Sequence, residues 1–392
     1  MKLLLIWHAG GVESYWKRVE ELAKRFDQVL LLVPEEWNEG GKIVKTNDFQ
    51  LAENCNVESG KTIFNFHGAT FFYLNNLYSV LKRFKPDIIH LHEEPWSMAA
   101  FQTILYTKLL KLKSKIILDS SAITLQKKPL PFSWIEKYTY SNIDLAFARN
   151  IEGKQILIDR GCTSSINILP NGVNTDIFKK LDEREIDEVK INNGIPSNKK
   201  IICYMGRIIK EKGIYDFIDA ARIIINKYKS EYTFLIIGSG PEYSNLKDFI
   251  NKEKLNEHFI VKEKLNPMEV PSIMNTIDLL VLPSRTMPNW KEQFGRVLVE
   301  AMACGIPVLG SSSGGIPEVI NDERFVFREG NIDELSGKIR GITNNSSLRI
   351  ENIKNGVNRV ENLYSWEAIS QYYYEVLKEN QVISSSYIKV ER

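Results

Sequence analysis

Residues 279–320 read LLVLPSRTMPNWKEQFGRVLVEAMACGIPVLGSSSGGIPEVI. LLVLPS at 279–284 and PVLGS at 307–311 are short apolar runs of strand length, and the segment from about Gly295 to Cys304 has helical spacing between them. Gly305 closes that helix before Pro307, and Pro317 opens the next one. Strand, loop, helix and strand in this order form the unit of a parallel sheet buried on both faces. Glu292 stands in the loop and Glu300 in the helix, with Gly295 between them. Gly295 permits close backbone approach, and the amides of Phe294, Gly295, Arg296 and Val297 form a helix N-terminus able to receive an anion or a sugar hydroxyl. Paired carboxylates are good acceptors for polyol hydroxyls. The plainer reading makes Glu292 a helix-start acid favoured by the macrodipole and Glu300 a solvated charge.

The same alternation extends in both directions. Upstream come IICYMG at 201–206, a helix through IYDFIDAARIIINKY, TFLIIG at 233–238, a helix after Pro241 and FIVKE at 259–263. Near the N-terminus, strands are predicted over Lys2 to Trp7, VLLLV at 29–33, Asp87 to Leu91 and Lys115 to Leu118, with helices over Glu13 to Phe26 and FQTILYTKLLKLKSK. Around 169–199 the pattern lapses into LPNGVNTDIF and a polar stretch without a buried strand, which marks a domain boundary and a hinge. The expectation is an α/β chain of two Rossmann-like, doubly wound domains, 1–170 and 171–360. A C-terminal segment, 361–392, is expected to send the helix from about Ser365 to Lys378 back onto the first domain. Such a pair holds its ligand outside the carboxyl ends of the strands.

Composition narrows the function classes. The 392 residues are 43% hydrophobic and 26% charged, ample for more than one core. Fifty-one Lys and Arg against 49 Asp and Glu leave a net charge of +2, without the basic excess that drives nucleic-acid binding. The cysteines at 55, 162, 203 and 304 are too dispersed for a zinc module or a CxxC pair. No apolar run approaches the ~18 residues of a membrane span, and MKLLLIWHAGG breaks too early for a signal peptide. These features predict a cytoplasmic protein, with peripheral contact at the inner face of the membrane as an added expectation.

YMGRIIKEKG at 204–213 places Arg207 directly after a strand and Lys212 in the loop that follows. Two cations at a strand's carboxyl end can clamp a diphosphate, though isolated basic residues there are ordinarily solvated loop charges. GSGPEY at 238–243 is a second glycine turn after a strand. It has Tyr243 where a dinucleotide fingerprint has its third glycine, which speaks against nicotinamide or flavin.

Taken together and in order, PNGVNTDIF, GRIIKEKG, GSGP, EQFGRVLVEAMACGIPV and GGIPE resemble the retaining nucleotide-sugar glycosyltransferases of family 4, which have the GT-B fold. The resemblance covers nearly the whole chain. It implies two facing Rossmann-like domains, the first for the acceptor and the second for the nucleoside diphosphate sugar, with no catalytic metal and no cofactor beyond that co-substrate. On the matching positions, Arg207 and Lys212 grip the diphosphate and Glu300 takes the ribose hydroxyls. Glu292 faces the transferred sugar, and the backbone at Phe294 to Val297 meets sugar and diphosphate. Gly11 matches a glycine loop closing over the phosphates, with Glu13 completing a GGxE start, and Gly206 and Gly238 line the donor as well. Two departures stand out. Asp119 occupies the place of a histidine common in the family, and Glu263 stands where many relatives carry glycine beside the base.

His92 and Asp119 are the acceptor-side candidates; the bland reading makes one a satisfied strand-end histidine and the other a strand-end cap. Lys108, Lys111, Lys113 and Lys115 on one helix, with Lys127 and Lys128 before PLPFSW, suggest a basic face for an anionic membrane carrying a lipid-linked acceptor, or simply a solvated surface. The resemblance implies transfer of a hexosyl unit from a UDP- or GDP-sugar to an acceptor hydroxyl in cell-surface polysaccharide or glycolipid synthesis. The rival readings are a nucleotide-sugar epimerase of similar fold and a sugar-nucleotide-binding protein that has lost catalysis.

Overall fold

A computed structural model gives the fold, describing residues 1–39, 42–65, 68–121, 125, 128–228 and 231–384. The chain divides into two compact units, Met1–Pro170 with Trp366–Arg392, and Asn171–Ser365.

The first unit is built on an eight-stranded sheet. Its strands run in the order Ser165–Ile168, Leu145–Ala148, Lys115–Asp119, Ile88–Leu91, Lys2–Ile6, Gln28–Pro34, Cys55–Gly60 and Phe49–Ala52, all parallel except the last pairing. The central strands are buried on both faces, so they are apolar almost throughout and successive side chains serve opposite cores, while the outer strands Cys55–Gly60, Phe49–Ala52 and Ser165–Ile168 carry polar and exposed positions. Leu4 and Ile6 pack with Leu81 and Ile104 on one face; Leu3 and Leu5 pack with Val19 and Leu22 on the other. The C-terminal helix Trp366–Glu379 completes that second face with Trp366, Ile369, Tyr373 and Leu377.

The second unit carries a six-stranded parallel sheet in the order Phe259–Lys262, Tyr232–Ile237, Lys200–Met205, Leu279–Leu282, Val308–Ser311 and Val326–Phe327. Its middle strand, Lys200–Met205, and its neighbour Leu279–Leu282 end at the loops that hold Arg207, Lys212 and Glu292.

Three local expectations need correction. The helix predicted from Glu13 begins as a 3-10 turn, Glu13–Tyr15, and becomes α-helical only over Trp16–Ala23. The polar stretch after 180 contains a helix, Glu183–Asn193. A capping box between Asp182 and Glu185 starts it and a left-handed Gly194 ends it, so caps rather than burial define this helix. The lysine-bearing helix stops at Leu109: Lys111 is left-handed at φ 51°, and Lys115 opens a strand and pairs with Asp144 at 2.7 Å. Lys108, Lys111, Lys113 and Lys115 therefore do not share one helical face. Lys127 lies outside the described residues, as does the tail beyond residue 384.

Candidate active site

In the second unit, chain reversals after neighbouring strands bring the charged residues together. Arg207 is exposed, and its carbonyl accepts a 2.6 Å hydrogen bond from the Tyr204 hydroxyl. Lys212 ends a 3-10 turn, Lys210–Lys212, capped by Gly213 at φ 68°. A Cβ on Gly213 would overlap the Pro283 carbonyl, so this turn can lie against the loop after Leu279–Leu282 only with glycine there. Lys212 Nζ accordingly reaches Glu292 Oε2 at 2.5 Å, and the Ser284 hydroxyl donates to the same oxygen at 2.9 Å. The Trp290 ring lies 5.4 Å from the ammonium. The backbone of Glu292 is fixed as well: Gly315 N–H donates to its carbonyl at 2.9 Å, and Gly314, at φ 53°, leaves no room there for a Cβ. Arg285 anchors the start of this loop through a two-pronged pair with Asp216, at 2.7 and 2.6 Å.

Beyond Glu292 the chain turns through Gly295, left-handed at φ 81°, into the helix Arg296–Ala303. Phe294 is buried edge-on against Tyr364 at 5.5 Å, which pins the entry of the helix. The first-turn amides of such a helix have no partner within it and attract anions. Glu300 is not the solvated charge of the plain reading. Its side chain is 17% exposed, and burial pushes its carboxyl up while Arg296, 3.6 Å away, opposes the shift. The glycine turns are backbone crossings: a Cβ on Gly238 would overlap the carbonyl of Gly206, whose own N–H donates to Ile237 at 3.0 Å.

The first unit holds a second charged group. Asp119, at the end of its strand, is buried between Arg149 at 2.6 Å and Arg18 at 2.8 Å, with His90 at 3.2 Å and His92 at 3.3 Å. Burial alone would push this carboxyl up, but Arg149, His92 and Arg18 hold it well below the usual carboxylate range. Burial pushes both imidazoles down, His92 well below the ordinary value, with Asp119 opposing and the two arginines reinforcing. His92 stacks on Trp7 at 4.3 Å and meets Arg18 at Nδ1 and Arg149 at Nε2, 2.8 and 2.9 Å away. Arginine cannot accept and a neutral imidazole has one acceptor nitrogen, so the ring takes a hydrogen bond from one of the two guanidinium groups and faces the other with its own N–H. His90 donates from Nε2 to Asp119 and accepts at Nδ1 from the Tyr373 hydroxyl at 2.9 Å. Among the described residues, His90, His92 and Asp119 are the one group with ligand atoms close enough for a metal ion. His92 and Asp119 already serve two guanidinium groups whose charge opposes a cation, and the His90 nitrogens are taken by Asp119 and Tyr373, so the donor set does not suit one.

Residues 185–359 match the family model for glycosyl transferases group 1, and residues 9–177 that for glycosyltransferase family 4. An uncharacterized 41.2 kDa protein in the cps region of Klebsiella pneumoniae is 31% identical over 281 residues, 67% of this chain and 71% of that protein. The chain belongs to the group 1 glycosyltransferases. The capsular polysaccharide biosynthesis glycosyltransferase CapM of Staphylococcus aureus is 29% identical over 249 residues, 60% of this chain and 62% of CapM. The fold of this glycosyltransferase is GT-B: HepE of Anabaena, solved in complex with UDP, aligns with a TM-score of 0.72 at 17% identity, covering 97% of this chain and all of that one.

In this glycosyltransferase Lys212 and Glu292 are in direct contact, while Arg207 and Glu300 stand on the adjoining loop and helix. Gly11 belongs to the first unit, where a Cβ would overlap the Thr46 hydroxyl. His92 and Asp119 are locked into the arginine network, so their polar atoms are already engaged. Sequence reading passed over Arg149, although it follows the strand Leu145–Ala148 as closely as Arg207 follows its own. It also passed over Trp290, since an aromatic residue in a proline-containing loop carries no periodicity to mark it.

Proposed function

We propose that this chain transfers a hexosyl unit from a nucleoside diphosphate sugar to an acceptor hydroxyl with retention of anomeric configuration, in polysaccharide or glycolipid synthesis at the cytoplasmic side of a membrane. The observation that carries the reading is the Lys212–Glu292 contact beside an exposed Arg207 and the N-terminus of Arg296–Ala303.

The diphosphate draws on Arg207 as a planar fork and on Lys212 as a compact charge. These preorganised cations meet the negative charge that grows on the leaving nucleotide, the part a divalent metal plays in other transferases. A diphosphate that engages Lys212 loosens its hold on Glu292, whose carboxylate then supports positive charge at the anomeric carbon. The departing phosphate oxygen takes the proton of the acceptor hydroxyl on the same face, so Glu292 need not act as a base. Glu300 accepts from the ribose hydroxyls, and the amides of Phe294 to Val297, with Gly206 and Gly238, line the donor. The first unit, with Gly11, takes the acceptor, a sugar or lipid-linked sugar. UDP is the favoured nucleotide because HepE has been solved with it.

Thermal-shift titration of the full chain with UDP-, GDP- and ADP-sugars tests this, since a ligand bound only by the folded state raises the melting temperature by mass action. One UDP- or GDP-sugar is expected to stabilise the chain and to be consumed with an acceptor in the presence of EDTA. A chain that no nucleotide sugar stabilises overturns the reading. Release of an altered nucleotide sugar without acceptor supports the epimerase instead, and binding without turnover a protein that has lost catalysis.

A further inference from the structure

The one tryptophan of the second unit, Trp290, is not part of that unit's apolar core. Its side chain is half-buried, and among the described residues the indole N–H has no acceptor and the ring packs against no other aromatic ring. A side chain of this size ordinarily gives its area to a core and its N–H to a partner. What the indole meets instead is Lys212, whose ammonium lies 5.4 Å from the ring centre.

The loop is built to keep it there. Met287 and Trp290 exchange both backbone hydrogen bonds, at 2.8 and 3.2 Å, which closes a two-residue turn over Pro288 and Asn289. Thr286 N–H donates to the Glu329 carboxylate at 2.7 Å, and Arg285 N–H donates to the Glu211 carbonyl at 2.8 Å. The second of these bonds ties the tryptophan's loop to the 3-10 turn Lys210–Lys212 itself. Indole and ammonium thus stand on two segments fixed to each other.

We propose that Trp290 is a positioning residue whose ring face holds the Lys212 ammonium in place when a diphosphate draws it away from Glu292. The proposal rests on the donor reading given above. Among the described residues Glu292 is the one carboxylate within ion-pair distance of Lys212, at 2.5 Å. A diphosphate that competes for the ammonium weakens this restraint, and a flexible four-carbon stem left to itself must be ordered at the expense of binding. An aromatic face attracts a cation through its quadrupole and carries no net charge. It therefore restrains Lys212 without repelling the phosphates, which a second carboxylate would do.

The test is a double-mutant cycle between Lys212→Ala and Trp290→Leu in the full chain, read by calorimetric titration with UDP. Trp290→Leu is expected to weaken UDP binding by about 2–30-fold, the scale of a cation–π contact. Trp290→Phe keeps a ring face and should recover most of that loss. In the Lys212→Ala background, Trp290→Leu should change UDP affinity by less than about twofold. Losses of equal size in both backgrounds would mean that the indole touches the ligand itself and would overturn the proposal. Unaltered affinity in Trp290→Leu, or a Trp290→Phe protein as weak as Trp290→Leu, overturns it as well. So does a Trp290→Leu chain that no longer melts cooperatively, since the ring would then be a structural element. A parent that binds neither UDP nor a nucleotide sugar fails the donor reading and this proposal together, whereas a parent that binds UDP without coupling in the cycle fails this proposal alone.

Discussion

Lys212 and Glu292, eighty positions apart, neutralise each other at 2.5 Å with side chains only 19% and 9% exposed. Removing one charge strands the other in a partly desolvated place, so Lys212→Ala should lower stability by about 1–3 kcal/mol as well as turnover. The double variant Lys212→Ala with Glu292→Ala separates the two effects. Its urea midpoint should recover toward the parent, while transfer stays lower by about 10²–10³-fold, the scale of losing a transition-state charge contact. Recovery of transfer together with stability would reduce the pair to a structural tie.

Arg207 makes the complementary case. It is exposed, and among the described residues no carboxylate pairs with it. Arg207→Ala should therefore leave the melting temperature of the unliganded chain unchanged and weaken UDP binding by about 10–100-fold, the scale of charge-assisted hydrogen bonds. Calorimetric titration with UDP reads this directly, and unaltered affinity would remove Arg207 from the diphosphate site.

Acid should loosen the first unit before ordinary carboxylates titrate. His90 and His92 are held below their unfolded values by burial, beside Arg18, Arg149, Asp119 and Tyr373. The unfolded chain therefore binds protons, from about pH 6.5 downward, that the folded chain refuses. Stability is full above that pH and falls as pH drops below it, by up to about 1.4 kcal/mol per pH unit for each histidine. Asp119, depressed by its arginines, adds a second loss only below the ordinary aspartate range. Melting temperatures measured between neutral and mildly acidic pH should show a slope that His92→Gln reduces; an unchanged slope would mean that His92 is protonated in the fold.

The wound architecture was legible because buried parallel strands are apolar throughout, and IICYMG, TFLIIG and LLVLPS stand out against their polar flanks. The glycine-marked site was legible for a related reason. Gly213, Gly238, Gly295 and Gly314 all have positive φ, and at Gly213, Gly238 and Gly314 a side chain would strike another loop's carbonyl. What could not be read was long-range pairing. Nothing local in DIIHLHEEPWS tells that His92 lies between Arg18 and Arg149, because those partners are brought in by a helix and a separate strand. The helix Glu183–Asn193 was missed because it buries no residue and so has no apolar stripe to reveal it.

Two glycines of the second unit should respond to alanine with opposite signs. Gly314 is left-handed at φ 53°, and its Cβ position is occupied by the Glu292 carbonyl, so alanine there must either strain the backbone or displace the Glu292 loop. The cost should exceed about 1 kcal/mol, a fall of about 2–4 °C or more in the melting of a unit this size. Gly337 lies on the exposed side of the helix Ile332–Asn344, with nothing within 4 Å of its Cβ position. Alanine there restricts the unfolded chain and favours the helix, raising stability by about 0.5–1 kcal/mol. Donor binding, read by the UDP thermal shift, should fall in Gly314→Ala and hold in Gly337→Ala. Equal donor binding in both would show that the Glu292 loop does not depend on the Gly314 turn for its position.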